Sequence, residues 1–417
     1  MTTAAPAEPA SATVSARAHS ADSRVGPLPI VNVVVLEAGL GLALLTPYPA
    51  ALRGMVLLIA APLALGRWRG RWLLRWVPLA ARYLMRVHRR NVTIADPGAS
   101  GSWNPPQQAT GSEDPRLTLL RLVLPELSII QGTDHHHEQF GLACYQGSWT
   151  AVLEVDAAPS MIAPVGGGPS LPLRALSRCL EHRGVVLDAI QVLWHCYPGS
   201  TALPPSSPAL LSYQEVLGSL PALASRSTWV ALRLDPRRCP AAVTERGGGV
   251  LGCQRALVGA LSRVRGALES QGLASRLLDA EQLVRAGICA AELSTVASAG
   301  GAVTLSEGWA AVTAVGVGHA SYVISGWGAR GMTGSLTALS GIRALSTTVA
   351  LSLSPGGDGA EIGLRVLARV SARDSTQLQA AEQRLRAVSH RLGVVLSPLH
   401  GLQVAGLAAT LPLGAPR

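Results

Sequence analysis

Two apolar stretches near the N-terminus constrain this chain more than any other feature of its sequence. Residues 29–45 are apolar apart from Asn32 and Glu37, and residues 50–66 are apolar apart from Arg53. The Thr-Pro-Tyr-Pro sequence between them is typical of a turn. Each stretch has about 17 residues, the lower limit for a helix that crosses a bilayer core. The pattern therefore predicts two transmembrane helices in a tight hairpin over residues 28–68.

The segment after the hairpin holds most of the excess positive charge. Residues 38–95 contain nine arginines and no acidic residue, in a chain with a net charge of +10. Because positive residues flank both ends of the hairpin, the positive-inside rule places both termini in the cytoplasm. Two sets of side chains recur at helical spacing and predict an anchoring band at the membrane–water interface: Arg67, Arg71, Arg75, Trp68, Trp72 and Trp76.

Composition and charge placement exclude several functions. All 35 basic residues are arginine, so the lysine of a Walker A loop, a protein kinase or a Schiff-base enzyme is missing. A nucleic-acid-binding domain would spread basic residues over a folded face, among aromatic side chains that stack on bases. Here they follow an apolar stretch, so we expect contact with a lipid bilayer and not with nucleic acid. A cleaved signal peptide or a buried hairpin of a soluble protein fits this flank less well.

Glu37 lies near the middle of the first apolar stretch, where an ionisable group is energetically costly. One hypothesis is that it contacts a transmembrane helix of another subunit, with Gly39 and Ala43 as the small residues that allow close packing. The other is a neutral glutamic acid in a water-accessible crevice. The sequence leaves both hypotheses open.

The rest of the chain divides by composition. Residues 1–27 are rich in Ala, Ser and Pro and predict a disordered tail, and residues 69–116 combine the juxtamembrane arginines with a linker. From about residue 117, the order hairpin, helix, strand, strand, helix, strand occurs twice, over residues 117–290 and 291–417. The pattern predicts a mixed α/β cytoplasmic body of two related halves, each a sandwich with a mixed sheet.

Shorter patterns within this body predict helix caps, hairpins and one strand. Asp279 and Asp374 are predicted to cap the N-termini of two helices, the first through a capping box. Residues 308–312 resemble residues 148–152, and we expect both in hairpins. Apolar residues alternate over residues 362–370, which predicts a half-buried strand.

No set of residues supplies a reaction mechanism. The six cysteines lack zinc-site spacing and are expected to be reduced core residues. The three adjacent histidines of residues 134–138 favour a solvated turn over a metal site. The glycine triplets at 166–168 and 247–249 lack the other residues of a phosphate loop and favour flexible entries to helices. We therefore predict no catalytic residue, no bound cofactor and no metal.

Several strings of residues resemble those of one family. They are Phe140–Ala143, Trp149–Val155, Trp229–Pro236, Arg246–Gly249, Arg255–Leu257 and Leu277–Leu283. Together with the hairpin and the arginine-rich segment, they are similar to EccE, a membrane component of mycobacterial type VII (ESX) secretion systems. The resemblance extends over roughly residues 28–417.

The resemblance implies a non-catalytic structural subunit of an inner-membrane complex. Its partners would be EccB-, EccC- and EccD-like membrane proteins, of which the EccC component is the ATPase. The alternative function is a membrane-anchored, glycosyltransferase-like enzyme at the cytoplasmic face. Such an enzyme needs paired carboxylates for a divalent ion, and Glu154 and Asp156 are the nearest approach to such a pair.

Overall fold

A computed structural model describes residues 24–25, 28–45, 50–68, 71–94, 114–134, 137–156, 171–197, 225–299, 301–329, 331–356 and 361–414. Most of the tail predicted at residues 1–27, and residues 95–113 of the predicted linker, lie outside the described residues. Within them, thirteen strands form one large sheet.

The strands of this sheet are numbered in chain order. They are β1 Arg89–Ile94, β2 Ser128–Thr133, β3 Gln139–Tyr145, β4 Ser148–Val155, β5 Ala189–Tyr197, β6 Ser225–Leu234, β7 Ser275–Leu277, β8 Gly301–Glu307, β9 Val312–Ala314, β10 Val317–Gly326, β11 Ser346–Pro355, β12 Ile362–Ala372 and β13 Val395–Pro398. Their order across the sheet is β1-β8-β9-β10-β12-β11-β5-β6-β4-β3-β2, with β7 beside β4 and β13 beside β10. Two-residue strands form three further pairs: Arg24–Val25 with Leu28–Pro29, Arg67–Trp68 with Arg71–Trp72, and Glu181–His182 with Val185–Val186.

Three helices precede the first strand of the sheet, and nine more cover its two faces among the described residues. They are α1 Ile30–Leu45, α2 Ala50–Leu65, α3 Leu73–Leu84, α4 Pro115–Val123, α5 Leu173–Arg178, α6 Pro240–Glu245, α7 Gly249–Glu269, α8 Ala280–Ala290, α9 Ser294–Ala299, α10 Gly331–Ser340, α11 Ser375–Leu392 and α12 Gln403–Ala408, with a 3-10 turn at Pro236–Arg238. Helices α5, α6, α7, α10 and α11 pack on the first face, and α4, α8, α9 and α12 pack on the second. Successive residues of a strand therefore enter different core layers, as Val192 and Leu193 of β5 do.

The same order of elements occurs twice in this sheet. The chain runs β3–β4–α5–β5–β6–α7–β7–α8, with the short helix α6 added before α7, and then β9–β10–α10–β11–β12–α11–β13–α12. Both hairpins turn through two residues with positive φ, Gln146 (51°) and Gly147 (78°) in the first and Val315 (55°) and Gly316 (78°) in the second. This conformation is the type I′ turn that suits the twist of a hairpin.

The sheet differs from the sequence expectation in three ways. Every pairing among the described strands is antiparallel, and one sheet spans both repeats, so the two sandwiches with mixed sheets are not found. Residues 308–312 do lie in a hairpin, as the turn between β8 and β9 and the first residue of β9, but they do not correspond to residues 148–152, because β10 occupies the place of β4. Strand β12 is covered on both faces and is not half-buried along residues 366–372.

Other expectations are met. The mixed α/β composition is confirmed. The side chain of Asp279 accepts from the backbone N–H of Gln282 at 2.7 Å in a complete capping box. Asp374 accepts from the N–H of Gln377 at 2.7 Å and caps α11. The division of the body at residues 290 and 291 stays a prediction.

Helices α1 and α2 pack against each other as an antiparallel hairpin. The side-chain amide of Asn32, near the start of α1, donates to the carbonyl of Ala64, near the end of α2, at 2.6 Å. Ala43, Ala60 and Ala64 are buried. Each helix has 16 residues, and no helix in the described ranges is both long and apolar enough to cross a membrane. The large apolar side chains exposed on the hairpin are Val34, Leu40, Leu42, Leu44, Met55, Leu57, Leu58, Ile59 and Leu65.

The close packing of α1 on α2 depends on Gly39. A Cβ atom at Gly39 would lie 2.5 Å from the Cβ of Ala60, whereas one at Gly41 would meet nothing within 4 Å. We expect Gly39→Leu to push the helix axes apart by about 2 Å, because interaxial distance follows side-chain size at the contact. The distance between spin labels at Leu44→Cys and Met55→Cys measures this change. Gly41→Leu is the matched control, and an equal distance in both variants would contradict the packing described.

Candidate functional site

The candidate site is the junction between the hairpin and the sheet, residues 66–90. Arg67–Trp68 and Arg71–Trp72 form a short strand pair directly after α2. These four residues are therefore extended, whereas their spacing in the sequence had predicted a helix. The guanidinium of Arg67 lies 4.6 Å from the ring centroid of Trp72, which is a cation–π contact. The backbone N–H of Leu73 donates to the carbonyl of Gly66 at 2.9 Å. Helix α3 therefore begins beside the end of α2.

Five rings join α3 to the sheet, and we call Trp76, Tyr83, His88, Trp309 and His400 the aromatic cluster. The ring centroid of Trp76 lies 5.9 Å from that of Trp309 and 5.7 Å from that of His400. The rings of Trp309 and His400 are 6.0 Å apart with 3° between their planes. Tyr83 meets Trp309 edge-on at 5.1 Å and His88 at 4.2 Å. Aromatic pairs at these separations are attractive beyond the apolar area they bury.

The turns that carry Trp309 and His400 are built for this contact. Trp309 lies between β8 and β9, in a turn closed by the N–H of Gly308 donating to the carbonyl of Ala311 at 2.8 Å. Gly401 donates its N–H to the carbonyl of Trp309 at 2.9 Å and has a φ of 69°. A Cβ atom at Gly401 would lie 2.8 Å from the Trp309 ring. Only glycine meets both conditions without strain.

Glu307 connects the cluster with α12. Its backbone carbonyl accepts a hydrogen bond from the Tyr83 hydroxyl at 3.2 Å. Its side-chain oxygen accepts from the N–H of Val404 in the first turn of α12, at 2.9 Å. A carboxylate at this end of a helix is favourable because the N–H groups there lack intrahelical partners. Helix α3 is thereby tied to β8 and, through Glu307, to α12.

The predicted anchoring residues differ in solvent exposure. Trp76 is only 8% exposed and packs on the body rather than facing outward. Arg67 is exposed and Trp72 is half-buried. The side chains of Trp68, Arg71 and Arg75 lie outside the description, so the anchoring role of this set stays a prediction.

The residues proposed for an intramembrane contact do not share one environment. Glu37 is exposed on α1. Gly39 faces Ala60 of α2 in the same chain, and Ala43 is buried. The small residues therefore do allow a close helix contact, but Gly39 makes it within its own hairpin. The contact of Glu37 with another subunit stays a prediction.

A second group of polar residues lies in the middle of the sheet, and all of them except Ser227 are buried. One residue from each of five neighbouring strands stands in register on the second face, and we call this set the polar row. Its members are Ser227 on β6, His195 on β5, Thr348 on β11, Arg369 on β12 and Ser321 on β10. Arg369 is fully buried, although an arginine rarely is.

Hydrogen bonds connect the polar row with the end of α8. Arg369 donates to the hydroxyl of Thr348 at 2.9 Å and to the backbone carbonyl of Ala290. The Thr348 hydroxyl lies 2.8 Å from Nδ1 of His195. That hydroxyl accepts from Arg369, and which atom donates between it and Nδ1 depends on the tautomer of His195. The other ring nitrogen, Nε2, lies 3.6 Å from a carboxylate oxygen of Glu292.

Burial sets the charge state of this region. Burial, reinforced by the charge of Arg369, lowers the pKa of His195 to about 3. The same causes hold the pKa of His319 well below its ordinary value. Burial lowers the pKa of Arg369 to about 10, so it stays protonated at neutral pH. Burial raises the pKa of Glu292, and the Ser346 hydroxyl and Arg369 oppose that rise. A positive charge is therefore held in the sheet between neutral imidazoles.

Sequence reasoning missed both the aromatic cluster and the polar row. Trp76 and Trp309 are 233 residues apart, and Trp309 and His400 are 91 residues apart, so no spacing rule connects them. A local signal for the row did exist, since His195 and Arg369 each have apolar neighbours in strands that are mostly apolar. The half-buried strand predicted over residues 362–370 would have placed Arg369 on its solvent side.

The other candidate sites have structural explanations. Gly247, Gly248 and Gly249 have φ angles of 109°, 67° and 51°, which explains the glycines without a ligand. The guanidinium of Arg255 donates to the carbonyl of Arg246 beside this loop at 3.0 Å. Residues 166–168 lie outside the described part of the chain.

The remaining motifs also have local roles. The side chain of Asp134 accepts from the N–H of Glu138 at 2.9 Å, which closes the predicted turn, although residues 135 and 136 lie outside the description. Glu154 forms an ion pair with Arg276 on the adjacent strand β7. All six cysteines are free thiols, four of them buried. In the described ranges, no group of three His, Cys, Asp or Glu residues could hold a metal.

Comparison with known proteins relates part of this chain to one family. Residues 222–324 match the family model described as "Putative type VII ESX secretion system translocon, EccE". The resemblance to the EccE family is confirmed. The EccE segment, residues 222–324, begins just before β6 and ends within β10, so it includes Trp309 and Glu292. Four of the strings quoted above lie inside it, from Trp229–Pro236 to Leu277–Leu283.

Two curated EccE relatives are similar over shorter stretches. The ESX-1 secretion system protein EccE1 of Mycolicibacterium smegmatis is 33% identical over 138 residues, which are 32% of this chain and 29% of the relative. The ESX-1 secretion system protein EccE1 of Mycobacterium tuberculosis is 40% identical over 75 residues, which are 18% of this chain and 16% of the relative. The matches thus span less than a third of either relative.

Trp309 is the centre of the contact between α3 and the sheet of this EccE-related chain. We expect Trp309→Ala to release α3, because the ring contacts Trp76, Tyr83 and His400. Loss of one aromatic contact of about 1.4 kcal/mol would raise the open population about tenfold. The rate of trypsin cleavage after Arg82 in the detergent-solubilised full chain measures this opening.

The control for this variant is Trp327→Ala, which removes a partly buried tryptophan from the first face of the sheet. We expect cleavage after Arg82 to stay at the wild-type rate in this control. Equal acceleration in both variants would show that general destabilisation, and not release of α3, causes the cleavage.

The two buried histidines predict how stability depends on pH. An unfolded histidine titrates near pH 6.5, whereas His195 in the fold titrates at about 3. Between these values the unfolded chain binds more protons, so the free energy of unfolding falls as pH decreases. The slope is about 1.4 kcal/mol per pH unit for each such histidine. The raised pKa of Glu292 acts in the opposite direction above about pH 4.5.

A histidine variant separates these contributions. His319→Gln removes one depressed group, and we expect urea denaturation between pH 6.5 and 5.5 to show a slope smaller by about 1 kcal/mol per pH unit. His390→Gln at an exposed position is the control. If the two variants show the same slope, His319 is not neutral in the fold.

Proposed function

We propose that this chain is a non-catalytic structural subunit of a type VII secretion system, held at the inner membrane by the α1–α2 hairpin. The observation that carries the proposal is the match of the EccE segment to a family described as a secretion-system translocon. Since the curated relatives are covered over less than a third of their length, the role of the whole chain is inferred from this segment and the geometry around it.

The distribution of exposed apolar side chains supports the membrane anchor. Among the described residues, nine of the eighteen exposed large apolar side chains are on α1 and α2, and four more are on residues 77–87. Apolar surface of this extent marks a membrane or protein interaction site. A hairpin of two short helices can cross a bilayer that thins locally around it. We propose two spans with both termini in the cytoplasm.

The aromatic cluster fixes the orientation of the body relative to the proposed anchor. A flexible linker would let the body rotate freely beneath the membrane, whereas Trp76 and Tyr83 clamp α3 on Trp309. The sheet is then presented to neighbouring subunits in one orientation. We propose EccB-, EccC- and EccD-like membrane proteins as those neighbours, with the ATPase activity supplied by the EccC-like subunit.

The glycosyltransferase alternative finds no support in the described residues. Glu154, the carboxylate nearest to forming a metal-binding pair, is engaged by Arg276. Arg369, His195 and His319 are shut off from solvent, where no substrate reaches them. Buried polar groups of this kind specify a unique strand register more readily than they serve a reaction.

Affinity purification from native membranes tests the proposal. The tagged full chain is extracted in a mild detergent, sized on a blue-native gel and analysed by mass spectrometry. We expect one large complex that contains an FtsK/SpoIIIE-type ATPase and further multi-span membrane proteins. A monomer or homodimer alone would contradict the proposal, and binding of a nucleotide sugar by that species would favour the transferase.

A further inference from the structure

We propose that residues 77–89, the outer face of α3 and the segment after it, bind anionic phospholipid headgroups. This inference rests on the proposed membrane anchor but goes beyond it, since it assigns a lipid class to a surface outside the hairpin. The surface is named the basic apolar surface and consists of Val77, Arg82, Leu84, Met85, Arg86, Val87 and Arg89, all exposed.

The orientation of this surface follows from the aromatic cluster. Trp76 and Tyr83 are seven residues apart, nearly two helical turns, and both point toward Trp309. At about 100° per residue, Met85 then lies on the side of α3 away from the sheet, and Val77 and Leu84 lie on one flank between the two sides. The sheet therefore covers one face of α3 and leaves a second apolar face open.

That open face carries several of the most exposed large apolar side chains in the described part of the chain. Leu84, Met85 and Val87 are 76%, 88% and 75% exposed, the highest values for large apolar side chains in the described part of the chain, together with Leu58 at 76%. Leu58 belongs to the hairpin. An isolated exposed leucine is ordinary, but a contiguous set beside a membrane anchor marks an interaction site.

The charge of this surface selects an anionic partner. Arg82, Arg86 and Arg89 are exposed among these apolar side chains, and residues 38–95 contain no acidic residue. The adjacent Arg90 is different, since it donates to the carbonyl of Leu122 at 2.8 Å and so belongs to the body. Guanidinium groups bind phosphate oxygens in a bidentate manner, and a basic amphipathic helix lies at an anionic membrane surface.

The path of the chain places the start of α3 level with the end of the proposed membrane hairpin. Gly66, which follows α2, is hydrogen-bonded to Leu73, the first residue of α3. The strand pair between them folds the chain back, so α3 begins at the level where the hairpin ends. A surface that continues directly from a membrane anchor meets lipid headgroups before it meets any soluble protein.

The experiment uses the full chain in nanodiscs of dibrominated phosphatidylcholine, with or without phosphatidylglycerol. A bimane fluorophore on Met85→Cys reports contact with bromine by quenching, and the same label on Leu58→Cys reports insertion of the hairpin. Wild-type protein treated identically gives the background from native cysteines, and Val250→Cys is an exposed apolar position on the opposite face of the sheet.

We expect Leu58→Cys to be quenched in both membranes. Quenching of Met85→Cys should be at least about twofold stronger with phosphatidylglycerol and should weaken in high salt. Combined Arg82→Gln, Arg86→Gln and Arg89→Gln changes should abolish that preference. The matched triple change Arg174→Gln, Arg178→Gln and Arg391→Gln, which removes the same charge from exposed positions elsewhere, should leave it intact.

Each failure has its own meaning. If Leu58→Cys is quenched and Met85→Cys is not, the lipid surface is wrong and the anchor stands. If Met85→Cys is quenched equally in both membranes, or loses its preference equally in both triple variants, recognition of anionic lipid is wrong. If neither label is quenched, the membrane anchor itself is wrong.

Discussion

The pairing of β5 with β11 is the interaction on which the rest of this structure depends. Residues 190–196 of β5 pair antiparallel with residues 347–353 of β11 and join two similar arrangements of strands into one sheet. The central strands therefore have neighbours on both edges and helices on both faces. Any polar side chain there must find its partner within the protein, because water is excluded. The polar row, with Thr348 between His195 and Arg369, meets part of that requirement.

Local features of this fold could be predicted from the sequence, and long-range features could not. Asp279 and Asp374 cap helices because their carboxylates bond N–H groups three residues away, and such spacing is visible in a sequence. The hairpin turn at Gly147 is equally local. The register that aligns His195 with Thr348 depends on how two distant strands meet, and the contact of Trp76 with Trp309 depends on the whole sheet.

The location of the EccE segment relates the family match to the architecture. It starts just before β6 of the first repeat and ends within β10, in the β9–β10 hairpin of the second. It therefore holds the connection between the repeats. It also holds Trp309, against which α3 packs, and Glu292, which faces His195. The matched stretch is therefore the part of the chain where α3, the helices of the second face and the centre of the sheet meet.

The relation of β5 to β11 has a consequence for how such a chain could arise. Each strand is the innermost member of its repeat, and the two meet antiparallel, as the same edge of two identical molecules would meet across a twofold axis. A shorter ancestor with a single repeat would have left that edge open and could have built this sheet as a homodimer. Gene duplication with fusion would have replaced a concentration-dependent association by an intramolecular one.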